Sequence, residues 1–334
     1  MSSSFTTRPV DPDLRLGPVP IVTTGPTDEP DRWAAEHRDL LRSLVTEHGA
    51  VMVRGLGLHD VAGTASVFSR LATGLMVETE AFAARRSYGT GVYSSSTWPP
   101  NRTMCMHHEL SYALRFPSLM QFACLVSPSR GGATALADSP TVLAALPEAL
   151  VERFEHEGWL LARNYNDDIG ASWTQAFGTD DRTAVEDYCR AATIEFAWQP
   201  DGGLRTRQRR SAVISHPLTG RRCWFNQIAF LSEWTLDPEI REYLVDLYGS
   251  DGLPFNTRYG NGDAISRDTV DLINEVYQAH TVCEPWQDGD LLLVDNLRTA
   301  HSREAYEGPR DVMVALADAV HLADCSPTVE VMTR

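Results

Sequence analysis

The sequence predicts an α+β domain whose strands form an antiparallel sandwich or barrel. Helical spacing of apolar residues dominates the N-terminal part. Short β-branched or aromatic runs, stopped by glycine, proline or asparagine, recur along the rest. Long excursions separate these runs, yet no shift in composition marks a second domain.

The elements follow in order. DRWAAEHRDLLRSLVTEHG, residues 31–49, sets Trp33, Leu40, Leu41 and Leu44 near helical spacing and stops at Gly49. AVMVRG reads as a strand ended by glycine, and HDVAGTASVFSRLATGL as a second helix. From Tyr88 to Gly132 the texture is strand and loop: GVYSSSTWPP, MHHELSY and SLMQFACLVSP. Residues 139–158 read as a helix, with Ser139 as N-cap and Pro140 in the first turn. WLLARNY, SAVISHP and RRCWFNQIAFL follow as strands. Asp237 to Val276 mixes helix with loops around RYGNGDAIS, and DGDLLLVDN, TAHS and DVMVALADAV close the chain as strands. Residues 1–18 are expected to be a flexible tail and 19–334 one domain, with an insertion at roughly 140–280.

Composition narrows the function. A hydrophobic share of 43% against 22% charged suits a soluble chain with a real core, and the net charge of -16 argues against nucleic acid or an anionic membrane as partner. No apolar run approaches the ~20 residues of a membrane span, and the polar start lacks a secretory core. The six cysteines lack CxxC spacing, which fits a reduced, cytoplasmic location.

The chemistry gathers at MHHEL. On an extended strand, side chains at i and i+2 share a face, so His107 and Glu109 form a pair and His108 points away. Such a pair is a common surface pattern by itself. His301 strengthens it, since it follows the buried-looking run LLLVDN and so emerges at a strand end. Two histidines and one carboxylate leave coordination positions open, as in non-haem iron oxygenases. A zinc hydrolase or a non-catalytic binding barrel are the other classes that could use these residues.

MHHELSY together with LVTEHGAVMVRGL, PSRGGATALAD and WQDGDLLLVDNLRTAHSREAYEGPR resembles the taurine dioxygenase/clavaminate synthase-like family of Fe(II)/2-oxoglutarate-dependent dioxygenases. HPLTGRRCWFNQIAF and RYGNGD are similar to the branch containing the syringomycin-pathway hydroxylase. The resemblance implies a double-stranded β-helix (jelly-roll, cupin-like) core flanked by helices, with the insertion forming lid and substrate pocket. It implies Fe(II), 2-oxoglutarate and O2, with His107, Glu109 and His301 as iron ligands, and Arg310 and Thr134 at the distal carboxylate of 2-oxoglutarate. A guanidinium suits that carboxylate because its planar fork binds bidentately. Relatives often carry a second arginine beyond the first, whereas VMVALAD here is apolar, so Arg310 is expected to be the only charged anchor. Without a partner in this site, Arg310 would instead pair with Glu304, Glu307 or Asp311.

Glu109 also speaks to reaction type: related halogenases replace this carboxylate, so its presence implies oxygen transfer or a related oxidation. The implied substrate is an amino acid, free or tethered to a carrier protein, in natural-product biosynthesis. Hydroxylation is expected, with desaturation, cyclisation and epoxidation open to the same centre. Candidate substrate contacts are Tyr112, Asn164, Arg207, Gln208 and Asn226, and RTRQRR at 205–210 is a candidate basic patch for carrier docking. Oligomeric state is not legible.

Overall fold

The computed structural model describes residues 12–25, 27–83, 85–166 and 170–329. Its frame is an eight-stranded sheet. From one edge the order is Asp13–Arg15, Ile21–Thr23, Ala50–Arg54, Leu291–Asp295, Arg115–Val126, Asp311–His321, Val92–Ser94 and Ser87–Gly89. All neighbours run antiparallel except Ile21–Thr23 beside Ala50–Arg54. Thr281–Cys283, Thr134–Asp138 and Thr299–Arg303 make a smaller sheet, extended by a bridge between His107 and His301. Two sheets enclosing one core form the expected jelly roll.

Leu291–Asp295 shows why its sequence is apolar throughout. Leu292 and Val294 enter the core between the sheets with Met120, Phe122, Val312 and Val314. Leu291 and Leu293 face the other way, onto Ala34, Leu41, Leu44 and Phe68 of the helices Pro30–His48 and Val61–Leu71. A strand covered on both faces needs apolar residues at every position. Each such leucine contributes about 1.5–3 kcal/mol of burial free energy. Of the residues expected on the apolar stripe of the first helix, Leu40 lies outside it, 42% exposed, while Ala34 and Val45 are buried.

Several elements depart from expectation. Asp13–Arg15, within the expected flexible tail, is paired at the sheet edge; residues 1–11 of that tail lie outside the described ones. The predicted helix at 139–158 is two, Ser139–Ala145 and Glu148–Glu157, divided at Pro147. Proline lacks the N–H a continuous helix would need there. Asp138, not Ser139, caps the first of them, accepting from the Thr141 amide at 3.2 Å. LRTRQRR is a strand, Leu204–Arg210, at the middle of a four-stranded sheet with Glu195–Trp198, Trp159–Tyr165 and Phe255–Tyr259. MHHEL is a single bridge followed by a turn. RYGNGD is a tight turn where a Cβ on Gly260 would lie 1.8 Å from the Glu157 carbonyl oxygen, so this motif serves packing.

Candidate metal centre and its two cavities

His107 and His301 are distant in sequence and directly opposed in space. Each amide donates to the other's carbonyl, at 3.0 and 2.9 Å. Opposed residues of an antiparallel pair project to one side, and the ring centroids stand 4.5 Å apart. The turn after His107 then brings Glu109 to the same side. One donor atom from each of His107, Glu109 and His301 lies within 4.8 Å of the others, and all three residues are buried. The His107 Nδ1–H donates to the Cys105 carbonyl at 3.0 Å, which leaves the Nε2 lone pair for an ion.

The turn is held by neighbours. Asn296, fully buried at the end of LLLVDN, accepts from the Glu109 amide at 2.8 Å and donates to the carbonyls of Glu109 and Pro117, at 3.0 and 2.8 Å. His108 looks away from the triad, as the alternation predicted. Its Nδ1–H donates to the Asn296 carbonyl at 2.5 Å and its Nε2 accepts from Ser139 at 2.7 Å. Ser139 is thus a histidine partner where a helix cap was expected.

Electrostatics favour a cation at the triad. Burial lowers the basicity of both His107 and His301, keeping the imidazoles neutral and able to ligate. Burial works against charge on Glu109, but the Arg85 guanidinium outweighs it and holds the carboxyl below its usual range. Arg85 donates to Glu109 Oε2 at 2.9 Å and to Ser96 at 3.0 Å. These donors fit a 2-His-1-carboxylate ion with open positions.

Two cavities flank the triad. The smaller, about 50 Å³, is bordered by Thr134, Arg303, Arg310, Ser95 and Phe122. Arg310 donates to the Gly132 carbonyl at 3.0 Å and reaches Ser95 at 3.5 Å. Among the described residues it makes no ion pair, and Glu307 pairs with Arg130 instead. Burial and the adjacent Arg303 pull the Arg310 guanidinium down to about 10, so it stays charged at neutral pH without a counterion. Arg310 is not the only cation there. Arg303 follows His301 by two residues on the same strand and shares its face. Its Nη atoms are spent on the carbonyls of Trp98, Pro99 and Arg102, while its buried Nε has no partner.

The larger cavity, about 160 Å³, has an aromatic wall of Phe82, Trp98 and Phe230, with Met104 between. Phe230 stacks on the His107 ring at 4.7 Å. Glu78, Arg85, Ser96, Thr97, Tyr112 and Gln227 are its polar members beside the triad. Most of this lining precedes Glu109 in sequence, whereas it was expected from the insertion, which supplies only Gln227 and Phe230.

The sequence-derived substrate residues are mostly elsewhere. Tyr112 lines the larger cavity, but its hydroxyl is committed to the Glu80 carbonyl at 2.9 Å. Gln208 lies behind it, donating to Glu80 Oε2 and the Tyr112 carbonyl. Asn226 bonds backbone only, donating to Ala212 and accepting from Ile228. Asn164 donates to the Asp251 and Leu253 carbonyls, and with Arg207 borders a separate cleft on the four-stranded sheet. In RTRQRR the strand alternates, so Arg207 and Arg209 are exposed while Gln208 and Arg210 are buried. That leaves a thinner basic patch than the run suggested. Glu78, Arg85, Arg303 and Asn296 were missed. For Arg303 the i+2 offset from His301 was a usable signal; the others depend on tertiary placement.

The chain matches known proteins along most of its length. The model of the family "Taurine catabolism dioxygenase TauD, TfdA family" matches residues 6–316. Dapdiamide synthesis protein DdaC of Enterobacter agglomerans is 32% identical over 323 residues, covering 96% of this chain and 97% of that protein. A clavaminate synthase-like protein of Arabidopsis thaliana is 27% identical over 287 residues, 83% of each chain. PvcB of Pseudomonas aeruginosa, an Fe, α-ketoglutarate dependent oxygenase from an isonitrile synthetic pathway, superposes with a TM-score of 0.54. That likeness covers 96% of this chain and 97% of PvcB at 15% identity, and bears on the fold. Among the described residues no helix is long and apolar enough to cross a membrane. With the jelly roll, the opposed histidines and full-length matches agreeing, the chain belongs to the TauD/TfdA dioxygenase family.

Proposed function

We propose that this protein is an Fe(II)- and 2-oxoglutarate-dependent oxygenase that hydroxylates an unactivated C–H bond of an amino acid or amino-acid-derived substrate, free or tethered to a carrier protein, in natural-product biosynthesis. The convergence of His107, Glu109 and His301 between two cavities, one bearing Thr134 and Arg310, carries the reading. In this reading the three residues hold the iron, which would couple O2 and the decarboxylation of 2-oxoglutarate to oxidation of the substrate. Arg310 anchors the distal carboxylate in the smaller cavity through its fork, Thr134 borders the same end, and the Nε–H of Arg303 offers a further donor. Arg85 fixes Glu109 by holding one carboxylate oxygen. The aromatic wall excludes water and sets the substrate against the triad.

Glu109 keeps the carboxylate that halogenating relatives lack, which supports oxygen transfer; desaturation, cyclisation and epoxidation are the alternatives at the same centre. Within the family, the likeness of HPLTGRRCWFNQIAF and RYGNGD supports a position beside the syringomycin-pathway hydroxylases. A cytoplasmic site of action fits six free cysteines.

The test is anaerobic titration with Fe(II) and 2-oxoglutarate, following the weak visible charge-transfer band of the chelate. Wild type and His108→Ala are expected to form it, and His107→Ala to lose it. Arg310→Met is expected to bind the metal but need about 100-fold more 2-oxoglutarate, the loss of a charged bidentate pair. Metal binding without any band in wild type would sink the oxygenase reading and leave a zinc hydrolase or a binding barrel.

A further inference from the structure

The lining of the larger cavity includes buried polar groups that have no partner among the described residues. Arg85 is a side chain 9% accessible; two of its nitrogens bond Glu109 and Ser96, but Nη1 is buried with no partner. Trp98, across the wall, also buries its Nε1–H without an acceptor. Glu78 is 8% accessible, and among the described residues its carboxylate accepts no hydrogen bond. Its nearest cation is Arg85 Nε, at 3.9 Å. Each residue lines the cavity that adjoins the triad.

Buried donors without acceptors are destabilising, and a buried carboxylate without hydrogen bonds more so. A site that retains such groups is complementary to something that enters it. The two N–H groups call for a carbonyl or carboxylate oxygen. Glu78 calls for a cationic N–H donor. Glu78 and Arg85 are neighbours, so one small head group must offer both functions from adjacent atoms. Phe82, Met104 and Phe230 give an apolar side to the wall, with Ser96, Thr97, Tyr112 and Gln227 as its further polar members, and Phe230 reaches the His107 ring.

We propose that Glu78, Arg85 and Trp98 form the subsite for an α-aminoacyl head group: Glu78 receives a free ammonium, and Arg85 Nη1 and Trp98 Nε1 donate to the neighbouring carbonyl or carboxylate oxygen. This rests on the oxygenase reading above and narrows its substrate class. The amine must be unblocked and cationic, while the carbonyl end can belong to a free acid or to a thioester. The side chain then lies along the aromatic wall, where the triad can reach it. Gln227, tied to the His108 carbonyl at 2.7 Å, closes the pocket floor.

The experiment uses the full chain loaded anaerobically with Fe(II) and 2-oxoglutarate. The ligands are the twenty L-α-amino acids, their N-acetyl derivatives and their N-acetylcysteamine thioesters, with perturbation of the chelate band as readout. Calorimetry on the metal-free protein repeats the series. The expected result is binding of at least one free-amine ligand, weakened by about tenfold or more on N-acetylation, the loss of one charged hydrogen bond. Glu78→Gln should weaken the free-amine ligand by a similar factor and leave its N-acetyl form unchanged. Preference for acid over thioester, or the reverse, distinguishes a free from a carrier-bound source. Should Glu78→Gln fail to fold, Trp98→Phe tests the oxygen end and should weaken both forms alike. Equal binding of amine and N-acetyl forms, or no binding at all in protein that shows the band, overturns the subsite. Absence of the band in wild type, with calorimetric binding that still requires the free amine, overturns the oxygenase reading and keeps the subsite.

Discussion

Asn296→Ala tests how the ligand turn is held. The side chain makes three hydrogen bonds, one accepted from the Glu109 amide and two donated to the carbonyls of Glu109 and Pro117. Alanine removes all three and leaves one donor and two acceptors in a region without solvent, since Asn296 is 0% exposed. At about 1–1.5 kcal/mol for each bond, with the orphaned groups adding to that, the loss comes to about 3–5 kcal/mol. That is a large part of the 5–15 kcal/mol typical of a folded domain. Urea denaturation of the metal-free protein measures it, and an unchanged m-value would show that the unfolding transition is the same. Because the turn places Glu109, Mn(II) affinity followed by electron paramagnetic resonance should also fall, by about 10–100-fold. A destabilisation below about 1 kcal/mol would refute the bond count. Unchanged Mn(II) affinity in a destabilised variant would show that Glu109 is positioned without Asn296.

Two further perturbations follow from the geometry. Gly132 has φ +72°, and a Cβ there would lie 2.8 Å from Pro128 Cγ, 2.9 Å from Tyr306 Cβ and 3.3 Å from Arg310 Cδ. Gly132→Ala should therefore displace Arg310 and raise the 2-oxoglutarate concentration needed for the chelate band, while Mn(II) affinity holds; an unchanged requirement would contradict it. Asp290 is 1% exposed, and burial lifts its carboxyl to about 6 against the pull of Arg54. The folded state thus binds the proton more tightly than the unfolded chain, and stability should fall as pH rises from about 4 to 6, by up to about 3 kcal/mol. Asp290→Asn should flatten that slope in denaturation curves taken across the window, and parallel curves for the two proteins would refute the assignment.

The sequence by itself determined the fold class and the family, and singled out His107 and Glu109 as a pair. Alternation in MHHEL separates His107 and Glu109 from His108, and the all-apolar LLLV run marks a strand covered on both sides. The apolar run is a local property fixed by burial, whereas in MHHEL the turn after His107, and not a strand, brings Glu109 to the same side. Tertiary structure alone decided the rest. The opposition of His107 and His301 depends on pairing between segments far apart in sequence, with most of the strands and helices between them, and the hold of Asn296 on Glu109 depends on how the chain turns at each end of that pairing. The substrate residues sought in the insertion proved to be committed elsewhere: Gln208 to Glu80, and Asn226 to backbone. Glu78, Arg85 and Trp98 line the cavity beside the triad, from a stretch with no periodic pattern. A polar residue in such a stretch carries no local sign of its partner; whether its charge meets water, backbone or a ligand depends on which distant segment packs against it.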